Sequence, residues 1–243
     1  METTENPLVS VIIPTYNGES FIGEALQSVF NQTRQVDEII VVDDGSGDST
    51  MEIVKRYPGK IRLIENEHKG NPAFGRNIGL EIANGDFVAF LDQDDLWPAN
   101  KIEIQLANLL QKPAAKVDFG KIITLHQQQE KTLLSNFYDE MGDYFLLSGG
   151  LFRKEAFDIV GKFDETLTYH SSDFDWIARA IENGIAFSKN EKTTLIYRIH
   201  DGNYSNNFEK IKRGVAEVFM KSILRRKKNV ENGISTFPKI KLI

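Results

Sequence analysis

The sequence predicts an α/β fold, a mostly parallel sheet flanked by helices, with an appended C-terminal amphipathic helix. Over the first 100 residues, apolar runs of strand length alternate with segments whose apolar residues recur at helical spacing. Those runs are nearly continuous in apolar residues, as parallel strands covered on both faces are. Three of them also end in polar clusters: Pro14-Thr15-Tyr16-Asn17, Asp43-Asp44-Gly45-Ser46 and Asp92-Gln93-Asp94-Asp95. In open α/β sheets ligands bind beyond the carboxyl ends of the strands, so the site is expected where these three ends converge.

The elements follow in order. Residues 8–14 read as a buried strand that stops at Pro14, since proline donates no ladder hydrogen bond. Ile22, Ala25, Leu26, Val29 and Phe30 form one helix face. Residues 38–42 are a second strand. Ser49 and Glu52 match a capping box, which starts a helix near residue 49. Residues 61–64 are a third strand, residues 76–84 a helix closed by Asn84-Gly85 in a left-handed cap, and residues 87–91 a fourth strand. The second half is less regular. Residues 102–110 read as a helix and residues 111–147 as strands and loops, with a surface turn at residues 126–130. Ser148-Gly149-Gly150 reads as a flexible point. Phe174, Ile177, Ala178 and Ile181 give a helix face that Asn183-Gly184 ends, and residues 193–199 a strand. No repeat or linker interrupts the chain. It reads as one domain over residues 1–205, with its halves meeting near residue 100, followed by a C-terminal helix and basic tail over residues 206–243.

Composition narrows the function classes. The chain has 243 residues, 41% of them hydrophobic and 26% charged, an ordinary globular balance. Lys plus Arg number 29 against 35 Asp plus Glu, a net charge of -6, which argues against non-specific nucleic-acid binding. With no cysteine, disulfide frameworks, Cys-ligated zinc, iron–sulfur clusters and thiol nucleophiles are excluded. Residues 1–7 lack the basic and apolar regions of a secretory signal, and no run approaches the roughly 18 apolar residues of a membrane span. The expected location is cytoplasmic, with any membrane contact peripheral, on the inner face. There is no Gly-x-Gly-x-x-Gly after the first strand, no Walker A loop, no His-Glu-x-x-His and no Gly-x-Ser-x-Gly.

The chemical signals each have two readings. In Asp92-Gln93-Asp94-Asp95, crowded carboxylates suit a hard cation, Mg²⁺ or Mn²⁺, that also binds phosphate; the other reading is a solvated turn capping a helix near Pro98. Asp43-Asp44-Gly45-Ser46 is a turn with a left-handed glycine, or a strand-end carboxylate that accepts from a nucleobase. Asp173 and Asp175 are acids favoured at a helix N-terminus, or one of them is a general base. His200 is a satisfied structural histidine, a metal ligand or a phosphate donor. Residues 208–228 carry eight basic residues against Glu209 and Glu217, beside an apolar stripe of Phe208, Ile211, Val215, Val218 and Phe219. That helix packs on the domain or a second subunit, or lies on an anionic membrane.

Taken together, the order of these segments resembles the family 2 glycosyltransferases of the GT-A fold, a Rossmann-like architecture. The resemblance runs from Val9-Ser10-Val11-Ile12-Ile13-Pro14-Thr15-Tyr16-Asn17 through Val41-Val42-Asp43-Asp44-Gly45-Ser46, Gly75-Arg76-Asn77 and Ala89-Phe90-Leu91-Asp92-Gln93-Asp94-Asp95. It continues through Phe152-Arg153-Lys154-Glu155, Gly161-Lys162-Phe163-Asp164 and Asp173-Phe174-Asp175-Trp176 to Tyr197-Arg198-Ile199-His200. It implies an inverting, metal-dependent enzyme that moves a sugar from a nucleotide-sugar, a UDP-sugar by default, to a saccharide or lipid-linked acceptor in polysaccharide or glycoconjugate synthesis. Asp44 would hold the base in a pocket lined by Pro14, Thr15 and Tyr16. Arg76 would contact the nucleotide, Asp92 the ribose and Asp94 the metal, with His200 a further ligand. Asp173 matches the catalytic base. Many relatives carry Glu-Asp where this chain has Ser172-Asp173, so an acceptor contact from that Glu is missing. The alternatives are a nucleotidyltransferase-like enzyme, which leaves Asp173 and His200 without a role, and an idle nucleotide-binding module.

Overall fold

The computed structural model describes residues 6–57, 59, 61–126, 145–168, 171–203, 206–231 and 241–243. They form an eight-stranded sheet in the order β3-β2-β1-β4-β6-β5-β7-β8. The strands are β1 Val9–Thr15, β2 Glu38–Asp43, β3 Ile61–Glu65, β4 Phe87–Phe90, β5 Ala115–His126, β6 Gly150–Arg153, β7 Ala186–Ile199 and β8 Lys241–Leu242. The helices are α1 Ile22–Phe30, α2 Thr50–Lys55, α3 Pro72–Ile82, α4 Lys101–Gln111, α5 Glu155–Val160, α6 Ser172–Glu182 and α7 Phe208–Glu231. Every pairing is parallel except those of β6, which runs antiparallel to both β4 and β5. The mostly parallel α/β expectation holds.

Alternation along β1 divides the interior. Val9, Val11 and Ile13 join α1 and α4 in one apolar layer, and Ile12 joins α3, α5 and α6 in the other. The chain leaves β1 toward β2 and β3 on one side and returns to β4 on the other, so β1 and β4 flank the topological switch point. The carboxyl ends of β1, β2 and β4 lie at the same edge.

Several local expectations are corrected. β1 passes through Pro14 and ends at Thr15. Ile12 bonds toward β4 and Thr15 toward β2, so Pro14 turns its missing N–H to the β4 side, where the ladder has already ended at Ile12–Phe90. Helix α2 starts as expected, but Ser49 makes no side-chain cap; Asp48 accepts from the Thr50 amide at 3.0 Å instead. Helix α3 begins at Pro72, earlier than the apolar spacing implies. Asn71 caps it by accepting from the Ala73 amide at 3.0 Å, with proline at the first helical position. It ends at Ala83 in extended backbone, and Asn84 and Gly85 are not left-handed. Gly85 is required by closeness: a Cβ there would stand 2.5 Å from Ser10 Oγ.

Nor is Ser148-Gly149-Gly150 flexible. It forms a buried 3-10 turn entering β6. Trp97 Nε1 donates to the Ser148 carbonyl at 2.8 Å, Gln105 Nε2 to that of Gly149 at 3.0 Å, and Lys101 Nζ to that of Gly150 at 2.9 Å. Lys101 is fully buried, and burial pushes its ammonium down to about 7. On α6 the buried side is Ser172, Asp175, Trp176 and Ala180 together with Ile177, while Phe174 is exposed. The apolar spacing misplaced this face because arginines neutralise Asp175 inside it. The expected strand at residues 193–199 is the end of the longer β7. Of the expected surface turn, His126 ends β5 and residues 127–130 lie outside the described residues.

Candidate active site at the carboxyl edge of the sheet

A cavity of about 630 Å³ opens at the switch point, a volume suited to a small-molecule ligand. Pro14, Thr15, Tyr16, Asp44, Arg76, Asp92, Asp94 and Asp173 all line it. His200 stands behind Asp94, its Nε2 3.1 Å from Asp94 Oδ2. Residues up to 186 positions apart in sequence thus meet because β1, β2 and β4 end together and β7 delivers its last residues to the same edge.

In the cavity lining a buried arginine pairs with a part-exposed carboxylate. Arg76 is 4% exposed and donates from Nη2 to Asp92 Oδ1 at 2.8 Å. Ser148 Oγ donates to Asp92 Oδ2 at 3.0 Å, which explains why the 148–150 turn is so tightly held. The Arg76 Nε is buried and has no hydrogen-bond partner among the described residues. An anionic ligand in this cavity meets the charge of a guanidinium that is engaged with Asp92.

Beside that pair lie Asp94 and His200, 25% and 12% exposed at their side chains. The cluster does not cap a helix: α4 starts at Lys101, its N-cap Asn100 makes no side-chain cap bond, and the Ile102 amide donates to Gln32 Oε1 at 3.0 Å. Asp95 is buried, accepts from the Arg198 amide at 3.0 Å, and is pushed well above the usual carboxylate range by burial and then by the charges of Asp94 and Asp92. A divalent cation fits the Asp94–His200 pair. Bonds of roughly 2.1 Å at right angles put neighbouring donors about 3 Å apart, and Mg²⁺-type ions need only one or two protein ligands beside waters and phosphates. No group of three or more acidic or histidine side chains that could hold a metal is assembled among the described residues.

Asp44 reaches the cavity with both carboxylate oxygens engaged. Oδ1 accepts from the Lys69 amide and Oδ2 from the Gly70 amide, both at 2.8 Å, and His68 Nδ1 lies 3.0 Å from Oδ2. The His68 ring stacks on Tyr16 at 4.1 Å. Asp43 turns away from the cavity. It accepts from the Gly45 and Ser46 amides and the Ser46 hydroxyl, closing a turn in which Gly45 has φ 78°.

On α6, Asp173 and Asp175 separate. Asp173 faces the cavity. Desolvation pushes its carboxyl above the usual range, with the Arg76 charge opposing and that of Asp92 adding. Asp175 is buried and held by Arg179 at 2.6 Å and Arg225 at 2.9 Å, so it is structural. Ser172, where many relatives carry Glu, is fully buried with its hydroxyl unpartnered among the described residues.

Gln93, His68 and Phe174 are among the cavity residues that sequence reasoning missed. Gln93 clamps the end of β1: its Oε1 accepts from Thr15 Oγ1 at 2.5 Å and the Tyr16 amide at 2.9 Å, and its Nε2 donates to the Tyr16 carbonyl at 3.0 Å. His68 and Phe174 also line the cavity. No pattern in the chain marks them, since each acts through neighbours far away in sequence; only the position of Gln93 between two acids hinted at its place.

The family model for glycosyl transferase family 2 matches residues 10–163. The chain belongs to that family. Its relatives agree. An Escherichia coli protein named UDP-Glc:alpha-D-GlcNAc-diphosphoundecaprenol beta-1,3-glucosyltransferase WfgD is 42% identical over 104 residues, covering 42% of this chain and 41% of that protein. A glycosyltransferase of Rickettsia typhi is 31% identical over 235 residues, covering 84% of this chain and 68% of the relative. The chain spans less than half the length of several other curated relatives it matches, among them the Bacillus subtilis TuaG, of which 46% is covered. Among solved structures, S. aureus TarS in complex with UDP-GlcNAc superposes with a TM-score of 0.67 at 25% identity, covering 82% of this chain and 61% of that one. A mannosyltransferase from Pyrobaculum calidifontis, 23% identical, shares the fold at a TM-score of 0.71, over 90% of this chain and 65% of that one. The GT-A expectation and the family resemblance are thereby met.

Proposed function

We propose that the protein transfers a sugar from a nucleotide-sugar, a UDP-sugar first, to an acceptor hydroxyl with inversion at the anomeric carbon. One observation carries this reading: a single cavity at the switch point gathers the Arg76–Asp92 pair, the Asp94–His200 pair, Asp44 and Asp173. The UDP preference is supported by TarS, solved with UDP-GlcNAc, and by the name of the E. coli relative, which specifies UDP-Glc. That same name specifies a diphosphoundecaprenol-linked acceptor, which supports a lipid-linked saccharide here.

Asp44 and the loop at residues 68–70 would receive the base, with the Tyr16–His68 stack beside it. Asp92 would accept from the ribose hydroxyls, held in place by Arg76 and Ser148. Arg76 would lend its positive charge to the nucleotide. Asp94 and His200 would hold a divalent cation, Mn²⁺ or Mg²⁺, whose charge when bound offsets that of the diphosphate. Asp173 takes the proton of the acceptor hydroxyl as its oxygen bonds to the anomeric carbon; the bond from that carbon to the diphosphate breaks, and the nucleoside diphosphate leaves with the electron pair. A raised carboxyl is suited to this work, because its carboxylate is the stronger base.

A donor screen tests the proposal: nucleotide release from UDP-, GDP- and dTDP-sugars, with Mn²⁺ and with EDTA. Release from a UDP-sugar that EDTA abolishes is expected. Pyrophosphate release from a nucleoside triphosphate would favour the nucleotidyltransferase alternative, and a retained anomeric configuration in the product would overturn direct displacement.

A further inference from the structure

We propose that α7 is a membrane-contact helix whose outer face, Phe219, Met220, Ile223 and Leu224, seats on an anionic lipid surface. The two sides of this helix are the reverse of an ordinary docked helix, which turns its apolar stripe inward. Its inner side is held largely by charge. Lys221 Nζ pairs with Asp164 at 2.6 Å, Arg225 pairs with Glu182 at 2.7 Å and Asp175 at 2.9 Å, and Ser222 donates to Glu182. Of the apolar residues expected to form one stripe, Val218 is buried on this side and Ile211 lines the cavity. Phe219 belongs to the other side, where it is 64% exposed, with Met220 at 58%, Ile223 at 56% and Leu224 at 61%. These four stand at i, i+1, i+4 and i+5, one contiguous patch of large apolar side chains.

Charge decides the occupant. Residues 213, 220 and 227 fall nearly in line along the helix, so the patch is bracketed by Arg213 before it, with Lys212 beside that residue paired to Glu209 at 3.1 Å, and by Lys227 and Lys228 after it. Glu217, one of only two acids in residues 208–228, accepts from Thr168 on the domain side. A second copy of the helix is a poor partner. Antiparallel pairing about residue 220 sets Arg213 against Lys227 of the second helix, and parallel pairing sets each basic residue against itself. An apolar centre with basic ends instead matches a bilayer surface, where side chains enter the acyl boundary and lysines and arginines meet anionic headgroups. The helix is not a span: among the described residues no helix is long and apolar enough to cross a membrane. Helix α7 contributes Ile211 to the cavity wall from the side opposite the patch, so a bilayer against its outer face would tether the cavity near the membrane, where a lipid-linked acceptor of the proposed reaction resides.

Co-sedimentation of the full chain with phosphatidylcholine vesicles, with and without phosphatidylglycerol, tests this without any donor or acceptor. Binding is expected only with the anionic lipid, weakening as salt rises. Phe219→Ser with Ile223→Ser should lower it by roughly tenfold or more, and Lys227→Ala with Lys228→Ala by roughly tenfold or more. Both pairs are exposed, so unchanged melting temperatures are expected. No binding to anionic vesicles at low salt, or binding that neither pair alters, overturns the proposal. So does a dimer in light scattering that Phe219→Ser with Ile223→Ser converts to monomer, which would make the patch a subunit interface. Failure of the donor screen alone leaves the vesicle result standing.

Discussion

Two acidic turns flank the end of β1 at the carboxyl edge of the sheet, and they behave differently. The turn after β2 closes on itself at Asp43, which accepts from the Gly45 and Ser46 amides, while Asp44 lines the cavity and accepts from the Lys69 and Gly70 amides of the next loop. The turn after β4 reaches across the chain. Asp92 meets Arg76 and Ser148, Gln93 meets Thr15 and Tyr16, and Asp94 meets His200. A carboxylate satisfied by backbone amides within its own turn shapes a loop. One paired with side chains from other elements remains open to exchange those partners for a ligand. Acid content alone does not separate the two; the identity of the donor does.

The largest expected effect comes from the open turn. Asp94→Ala is predicted to lower sugar-transfer turnover by roughly 10³-fold, the scale for losing electrostatic stabilisation of a leaving group. Its melting temperature should stay near that of the parent, because the side chain is 25% exposed and carries no packing. Activity persisting both in this variant and in excess EDTA would break the comparison.

Across the cavity from both turns, Asp173→Asn is predicted to reduce kcat by roughly 10²-fold or more while leaving donor affinity nearly unchanged. The parent enzyme adds a pH signature. Desolvation raises the Asp173 carboxyl, so the protonated, inactive form persists to higher pH than for an ordinary Asp. The rate should therefore rise with pH through an apparent pKa above the usual carboxylate range, and that inflection should vanish in the Asn variant. A pH profile already flat down to ordinary carboxylate values would move the base elsewhere.

The closed turn should answer in stability rather than chemistry. Asp43→Ala removes the acceptor for two amides and a hydroxyl and should cost about 1–3 kcal/mol in denaturant unfolding. Donor-saturated turnover of the folded fraction should change little. A turnover loss as large as that of Asp94→Ala would erase the distinction between the two turns.

The smallest effect tests the clamp. Gln93→Leu breaks three hydrogen bonds to Thr15 and Tyr16 without removing a charge. It should raise KM for the donor by about fivefold, the worth of one net hydrogen bond, with kcat nearly unchanged. An equal fall in kcat would place Gln93 among the groups that act at the transition state.

Much of this site is legible in one dimension. Pro14, Thr15, Tyr16, Asp44, Asp92 and Asp94 lie at strand ends, and strand ends are visible as the points where apolar runs stop. Arg76 comes from the family resemblance alone, whereas Asp173 and His200 stand out as candidates with competing readings between which the resemblance chooses. Gln93, His68 and Phe174 leave no such trace, because a neutral clamp, an imidazole in a loop and an exposed aromatic have many ordinary uses. The helix faces divide in the same way. The α1 stripe is apolar and was read correctly, whereas α6 and α7 bury ion pairs among Asp175, Arg179, Arg225, Glu182 and Lys221, which apolar periodicity counts as solvent-facing.

By itself the amino-acid sequence determined the α/β class, the strand ends that carry the acids, and the family. Each rests on local periodicity or on residue order, which folding does not alter. Tertiary structure alone decided which acids are spent within the fold and which remain for a ligand, and which side of α7 faces outward. Those outcomes depend on partners as distant as Asp94 from His200 or Asp175 from Arg225. A charged side chain is buried or exposed according to whether such a partner arrives to offset its desolvation.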